Sequence, residues 1–350
     1  MSIFSPDCGF TRRNTVLLIG AATAAGMRPA AATAASMPPT TGTVFTADEK
    51  GGSISAIDIP SGRVRTVPLS IMPHNAQVAP DGRTILLVGM GMEAGHGAGG
   101  AGKLIVLDAL DVTRPPRAEI AIGPHPAHVV TDPAGSRAFI TDSTRNAVLV
   151  VDLAAGKVVR EIPVGLYPHG LRPSPDGREL YVANMHSADV SVVEIATLAE
   201  VGRIGVGKVP VQVGFTPDGA QVFVSLNGEN KVAIIDRARR QVVAKLTVGR
   251  NPVQVQATPD GRFVYVANQG TAASPDETVS VIDVARRKVV ATIRTGRGAH
   301  GVTVSDDSRL VFVSNIVDST VTAIDTQALR KIASYKVGAG PNGISYRAIP

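Results

Sequence analysis

The chain has 350 residues, 44% of them hydrophobic and 4% aromatic, which leaves room for one large domain or two ordinary ones around a substantial core. Its 36 glycines and 24 prolines suit a turn-rich β protein better than a helical one. The formal charge of +6 is scattered along the chain, and the absence of a dense Lys/Arg block argues against a nucleic-acid partner.

Residues 1–35 read as an export signal. Arg12-Arg13 precedes an apolar, alanine-rich run from Val16 to Met27, and small residues around Ala34 offer a cleavage site. The pair resembles a twin-arginine signal, so general secretion and twin-arginine export are both open. The run is short and broken by Arg28, which disfavours a transmembrane anchor. A periplasmic or secreted protein is expected. Its one cysteine, Cys8, precedes the run, so the mature chain has neither disulfide nor thiolate ligand. Residues 36–42 read as a short linker.

From there the chain repeats. Segments such as "PHNAQVAPDG" begin at Pro73, Pro126, Pro168, Pro210 and Pro252, then at Ala299 and Pro341, with steps of 53, 42, 42, 42, 47 and 42 residues. Each full unit predicts four strands, a to d. Strand a follows the proline, and an Asp-Gly turn leads into strand b, as in "ELYVAN". Strand c is as apolar, as in "TVSVID", and strand d follows a short polar turn. Residues 43–69 supply b, c and d without a, while the C-terminal "GISYRAIP" supplies a alone. These halves complete one blade. The expectation is an all-β, seven-bladed β-propeller over residues 43–350, closed by pairing its two ends.

The "YVAN" runs at Tyr181–Asn184 and Tyr265–Asn268, with "SPDG" or "TPDG" before and "VSVID" after, resemble the YVTN-repeat β-propeller family. Relatives in that broad group resemble surface proteins, the haem d1 domains of nitrite reductase and accessory proteins of haem d1 metabolism. Lactonases and lyases share similar propellers. The resemblance implies the fold and does not choose a function.

All seven histidines fall at one end of the predicted ring, the end of the b–c turns and d–a crossings. His74, His169 and His300 directly follow a repeat leader, and His128 is one place further on in its own repeat. Gln212, Gln254 and Asn342 occupy similar places in the other repeats. His186 lies in a b–c turn, His96 in the insertion "GMGMEAGHGAGGAG", and His125 in a crossing. Residues that begin innermost strands converge on the mouth of the central channel. Three readings stand: a metal or metallocofactor site, histidines kept as polar channel residues, and acid–base catalysis without metal.

For a metal site, His74, His128, His169 and His300 are the inner ligands, with His186 and His96 auxiliary. Met90, Met92 and Met185 accompany them, and thioether with imidazole suits copper. Zinc needs the imidazoles alone. Haem d1 is the other cofactor considered, with His169 or His300 as an axial ligand. An oxidoreductase of this kind requires an exported electron-transfer partner. The alternatives are a propeller without cofactor that binds a ligand or another exported protein, and a metal-assisted lyase or lactonase. The sequence is compatible with an enzyme and with a binding protein alike. Copper-cluster propellers such as nitrous oxide reductase are similar only in bringing histidines from strand starts to the mouth. This chain lacks their adjacent histidine pairs and second domain. The glycine run at 97–102 leads into a strand, not a helix, and so is not a dinucleotide fingerprint; it reads as a mobile loop over the mouth. Asp276 and Glu277 read as part of a solvated loop.

Overall fold

A computed structural model describes residues 40–93 and 97–349. The residues read as an export signal, most of those read as a linker, and His96 lie outside the described residues. Seven four-stranded antiparallel sheets follow one another around a ring, and the last is strand Pro341–Ala348 paired with Gly42–Asp48, Ser53–Asp58 and Val64–Pro68. We number the blades by their innermost strands. Blade 1 starts with Ile71–Val78, blade 2 with Pro126–Thr131, blade 3 with Pro168–Pro173 and blade 4 with Pro210–Phe215. Blade 5 starts with Pro252–Ala257, blade 6 with Ala299–Val304, and blade 7 is the closing sheet. Among the described residues no helix is long and apolar enough to cross a membrane.

Strands b and c are apolar at nearly every place because both faces of each blade are covered. Successive side chains point to opposite faces. Tyr181 and Ala183 therefore pack towards Val213 and Val224 of blade 4. Leu180 and Val182 pack towards Phe139 and Val148 of blade 2. The outer strand Gln241–Thr247 instead alternates exposed and half-buried residues, as an edge facing water should. Aspartates of the a–b turns bond locally, as Asp81 does with the Arg83 and Thr84 amides.

One irregularity recurs in every blade. Between strands a and b, three residue steps on a face two on b, as in Pro168↔Asn184 followed by Leu171↔Val182. The same shift occurs at Pro126/Val129, Pro210/Val213, Pro252/Val255 and Ala299/Val302 and in blade 7, while in blade 1 two steps, from Pro73 to Asn75, face one. Each is a β-bulge, which places two consecutive residues opposite one and re-aims their side chains. Bulge hydroxyls tie neighbouring blades together: the Thr141 hydroxyl accepts from the His128 amide and donates to the His169 carbonyl.

Two expectations are corrected. The insertion read as a mobile loop extends the b–c hairpin of blade 1, with Met92↔Ala98 and Glu93↔Gly97 paired. Its glycines permit this, because Gly91 and Gly100 approach too closely for a Cβ: one at Gly91 would lie 2.9 Å from the Ala101 carbonyl oxygen. Asp276 is buried rather than solvated, because its carboxylate accepts from the Arg250 and Glu277 amides and the Thr278 hydroxyl.

Candidate metal centre

The bulges bring three of the predicted histidines together. His74 and His169 take the first place after the leader in blades 1 and 3, and His128 takes the second in blade 2. Because a bulge turns both places towards the channel, the three converge despite the offset. One ring nitrogen from each lies within 4.8 Å of the other two. Ring centroids are 4.8 Å apart for His128 and His169, 5.4 Å for His74 and His169, and 5.8 Å for His74 and His128.

Their hydrogen bonds fix the tautomers of two rings. His74 Nδ1 donates to Glu49 Oε1 at 3.0 Å, and His169 Nδ1 donates to the Val211 carbonyl at 3.2 Å. In neutral rings both Nε2 lone pairs then point into one gap, where the two Nε2 atoms stand 3.3 Å apart. Facing lone pairs repel, so the gap calls for a cation, either a proton or a metal ion. His128 is 1% exposed and its Nε2 has no partner among the described residues. Its Nδ1 lies 3.4 Å from the Gln212 amide nitrogen, and Gln212 Oε1 is held by the Val213 amide. Coordination through His128 Nε2 therefore requires the Gln212 amide to turn over.

Electrostatics favour neutral imidazoles. Burial first, then the charge of neighbouring histidines, holds His128 well below the ordinary value. Burial and His74 lower His169 to about 3 and His300 to about 4. For Glu49, burial raises the pKa most, yet the His74 bond and charge, the Asn342 amide and His300 together outweigh it and bring it to about 2.

His300 joins the site through other groups. Its Nδ1 donates to the Asn342 carbonyl, and the Asn342 amide donates to Glu49 Oε2 at 2.7 Å. His186 is exposed and packs against Tyr167 with tilted rings, their centroids 4.3 Å apart. His125, also exposed, bonds the Ser143 hydroxyl. Gln254, like Asn75, is engaged in the ring itself: their side-chain oxygens accept the Val302 and Val129 amides of the following blades. Met185 packs against the apolar cluster containing Val211, and Met92 lies against Gly52.

Glu49 was not among the sequence candidates. The signal for it was available, since it sits in the b–c turn of blade 7, at the histidine end. Glu49 reaches the site from that turn, outside the inner strands.

No curated protein matches the sequence. Solved structures share the fold. Hydrazine synthase of Kuenenia stuttgartiensis superposes with a TM-score of 0.67 at 22% identity, over 77% of this chain and 88% of that one. A functionally unknown protein of Desulfotomaculum acetoxidans DSM 771 gives a TM-score of 0.73 at 14% identity, over 88% of this chain and 99% of that one. The sequence model of the YNCE-like β-propellers matches residues 220–348. That of the family described as lactonase, 7-bladed β-propeller, matches residues 12–274, three quarters of the chain, and the chain belongs to this family.

Proposed function

We propose that this exported propeller binds one transition-metal ion through His74, His128 and His169 and uses it to open cyclic esters by hydrolysis. The observation that carries the reading is the pair of Nε2 atoms 3.3 Å apart, with both Nδ1 protons engaged behind them. Two imidazole nitrogens this close would hold one ion together, and imidazole is a common zinc ligand. The orphaned His128 Nε2 supplies a third ligand. Three imidazoles leave a coordination position open, the feature that separates catalytic from structural zinc sites. The carboxylate behind His74 is the outer-shell partner that metal-bound histidines require.

A bound ion would supply Lewis-acid polarisation of the ester carbonyl and of water. The protein's own part is to hold His128 and His169 neutral by burial, to keep His74 oriented through Glu49, and to confine substrate at the channel mouth. Water adds to the carbonyl carbon, the ring C–O bond breaks, and a hydroxy acid leaves. Centroid spacings of 4.8–5.8 Å leave no room for a tetrapyrrole among the rings, which favours a single ion over haem d1. A copper oxidoreductase is the second reading, favoured by Met92, whose sulfur lies against Gly52 near Glu49 and keeps a thioether at this mouth.

The test is metal analysis of protein purified without chelator or histidine tag, alongside His169→Ala, followed by a lactone panel with zinc and with copper. One ion per chain, lost in the variant, and metal-dependent ring opening are expected. No ion bound after incubation with either metal overturns the reading.

A further inference from the structure

The opposite mouth of the channel has a chemistry of its own. Fourth after the leader, the inner strands place Gln77, Val130, Arg172, Gly214, Gln256, Thr303 and Ser345. All but Gly214 line a cavity of about 440 Å³. Six of the seven places are neutral, and Arg172 alone brings charge to the axis. The repeat closes at every other blade without an arginine there, so the ring does not need one.

Arg172 has no carboxylate partner among the described residues. Its one hydrogen bond runs to the carbonyl of the adjacent Leu171, leaving most of its five donors unused. Burial lowers its pKa to about 10. Two acids share the cavity. Asp132 is bound to Arg137 and to the Ser136 and Arg137 amides. Asp306 is exposed at the rim beside Asp307. The exposed Asp306 and Asp307 at the rim oppose a polyanion and leave the guanidinium to a small monoanion. The neighbouring amides and hydroxyls of Gln77, Gln256, Thr303 and Ser345 suit a ligand that carries hydroxyl groups.

We propose that this second mouth is a binding site for a small hydroxylated carboxylate, held by a forked contact with Arg172 and by the amide and hydroxyl side chains around it. An arginine fork matches the two oxygens of a carboxylate. The site is separate from the histidine mouth and does not rest on the metal reading.

Calorimetric titration of the full chain with D-glycerate and, separately, with inorganic phosphate tests this at low ionic strength. Glycerate should bind in preference to phosphate. Arg172→Gln should weaken it at least tenfold, Arg172→Lys less, and His169→Ala not at all. A thermal melt checks that the variants are folded, and Thr303→Val, a near-isosteric change, should weaken glycerate a fewfold. Absence of glycerate binding, equal binding by folded Arg172→Gln, or preference for phosphate would each overturn the proposal.

Discussion

Glu49→Gln separates a metal centre from a cluster of structural histidines. Glutamine keeps an acceptor within reach of His74 Nδ1, now 3.0 Å from the carboxylate, but removes the charge. Across the imidazole ring, the carboxylate lies roughly 7 Å from an ion at Nε2. For a divalent ion, Coulomb's law gives about 1 kcal/mol in water and about 5 kcal/mol at an effective dielectric of 20. Glu49 is 31% exposed, which places the cost between these limits, at about 2 kcal/mol. That equals roughly a thirtyfold loss of affinity, within the range seen when outer-shell partners of metal-bound histidines are removed. Competition against a chelator of known zinc affinity measures it directly. A folded variant whose zinc affinity stays within threefold of the parent would refute the assigned role of Glu49.

Three further outcomes follow from the geometry. Gln212→Glu offers one oxygen to the Val213 amide and another to a protonated His128 Nδ1, freeing Nε2 for metal, so it should tighten zinc binding by up to about tenfold in the same competition; weaker binding would exclude His128 as a ligand. Gly170→Ala puts a Cβ 2.4 Å from the Val211 carbonyl oxygen, backbone that cannot step aside, and should cost about 1–3 kcal/mol in urea unfolding; an unchanged midpoint would contradict it. The metal-free protein should be less stable at pH 4.5 than at pH 7. His169 and His300 have folded pKa values near 3 and 4, below the ordinary 6.5, so the stability they contribute is complete above 6.5 and lost as pH falls. His300 alone accounts for about 2 kcal/mol across that window. Glu49, lowered to about 2, acts in the same direction below its ordinary 4.5. Asp48, raised to about 6 by burial, opposes them by losing stability as pH rises, but two imidazoles outweigh one carboxyl. A higher urea midpoint at pH 4.5 would refute this balance.

The fold was legible because its causes are local and repeated. Asp-Gly turns mark the a–b corners, and the unmatched strands at the two ends pair as Gly42–Asp48 with Pro341–Ala348. The histidine end was legible from strand direction alone. Which histidines meet was not. His128 is out of step with His74 and His169 in the repeat, and only the bulge, which no residue type announces, cancels that offset. The insertion was read as a loop because its glycines carry no strand pattern. In the folded chain they allow two strands to approach closely. Asp276 was misread because its burial depends on the Arg250 amide, contributed by a distant part of the chain.

The bulge also limits what each blade can contribute. In blades 3, 6 and 7 the first place holds His169, His300 or Asn342 and the second holds glycine. A Cβ at Gly170, Gly301 or Gly343 would meet the next blade's inner strand at 2.4–2.7 Å. In blades 2, 4 and 5 the first place is Ala127, Val211 or Val253, and the second carries the long polar side chain of His128, Gln212 or Gln254. Blade 1 alone fills both, and there Asn75 is short and accepts the Val129 amide. Six of seven blades thus send one long polar group into the mouth from one place or the other. A cluster of three imidazoles must then draw on separate blades, and at the narrow mouth rings two blades apart still meet, as those of His74 and His169 do. His74, His128 and His169 come from blades 1, 2 and 3. The one carboxylate that supports them arrives from blade 7, beside blade 1, where ring closure brings the two ends of the chain together.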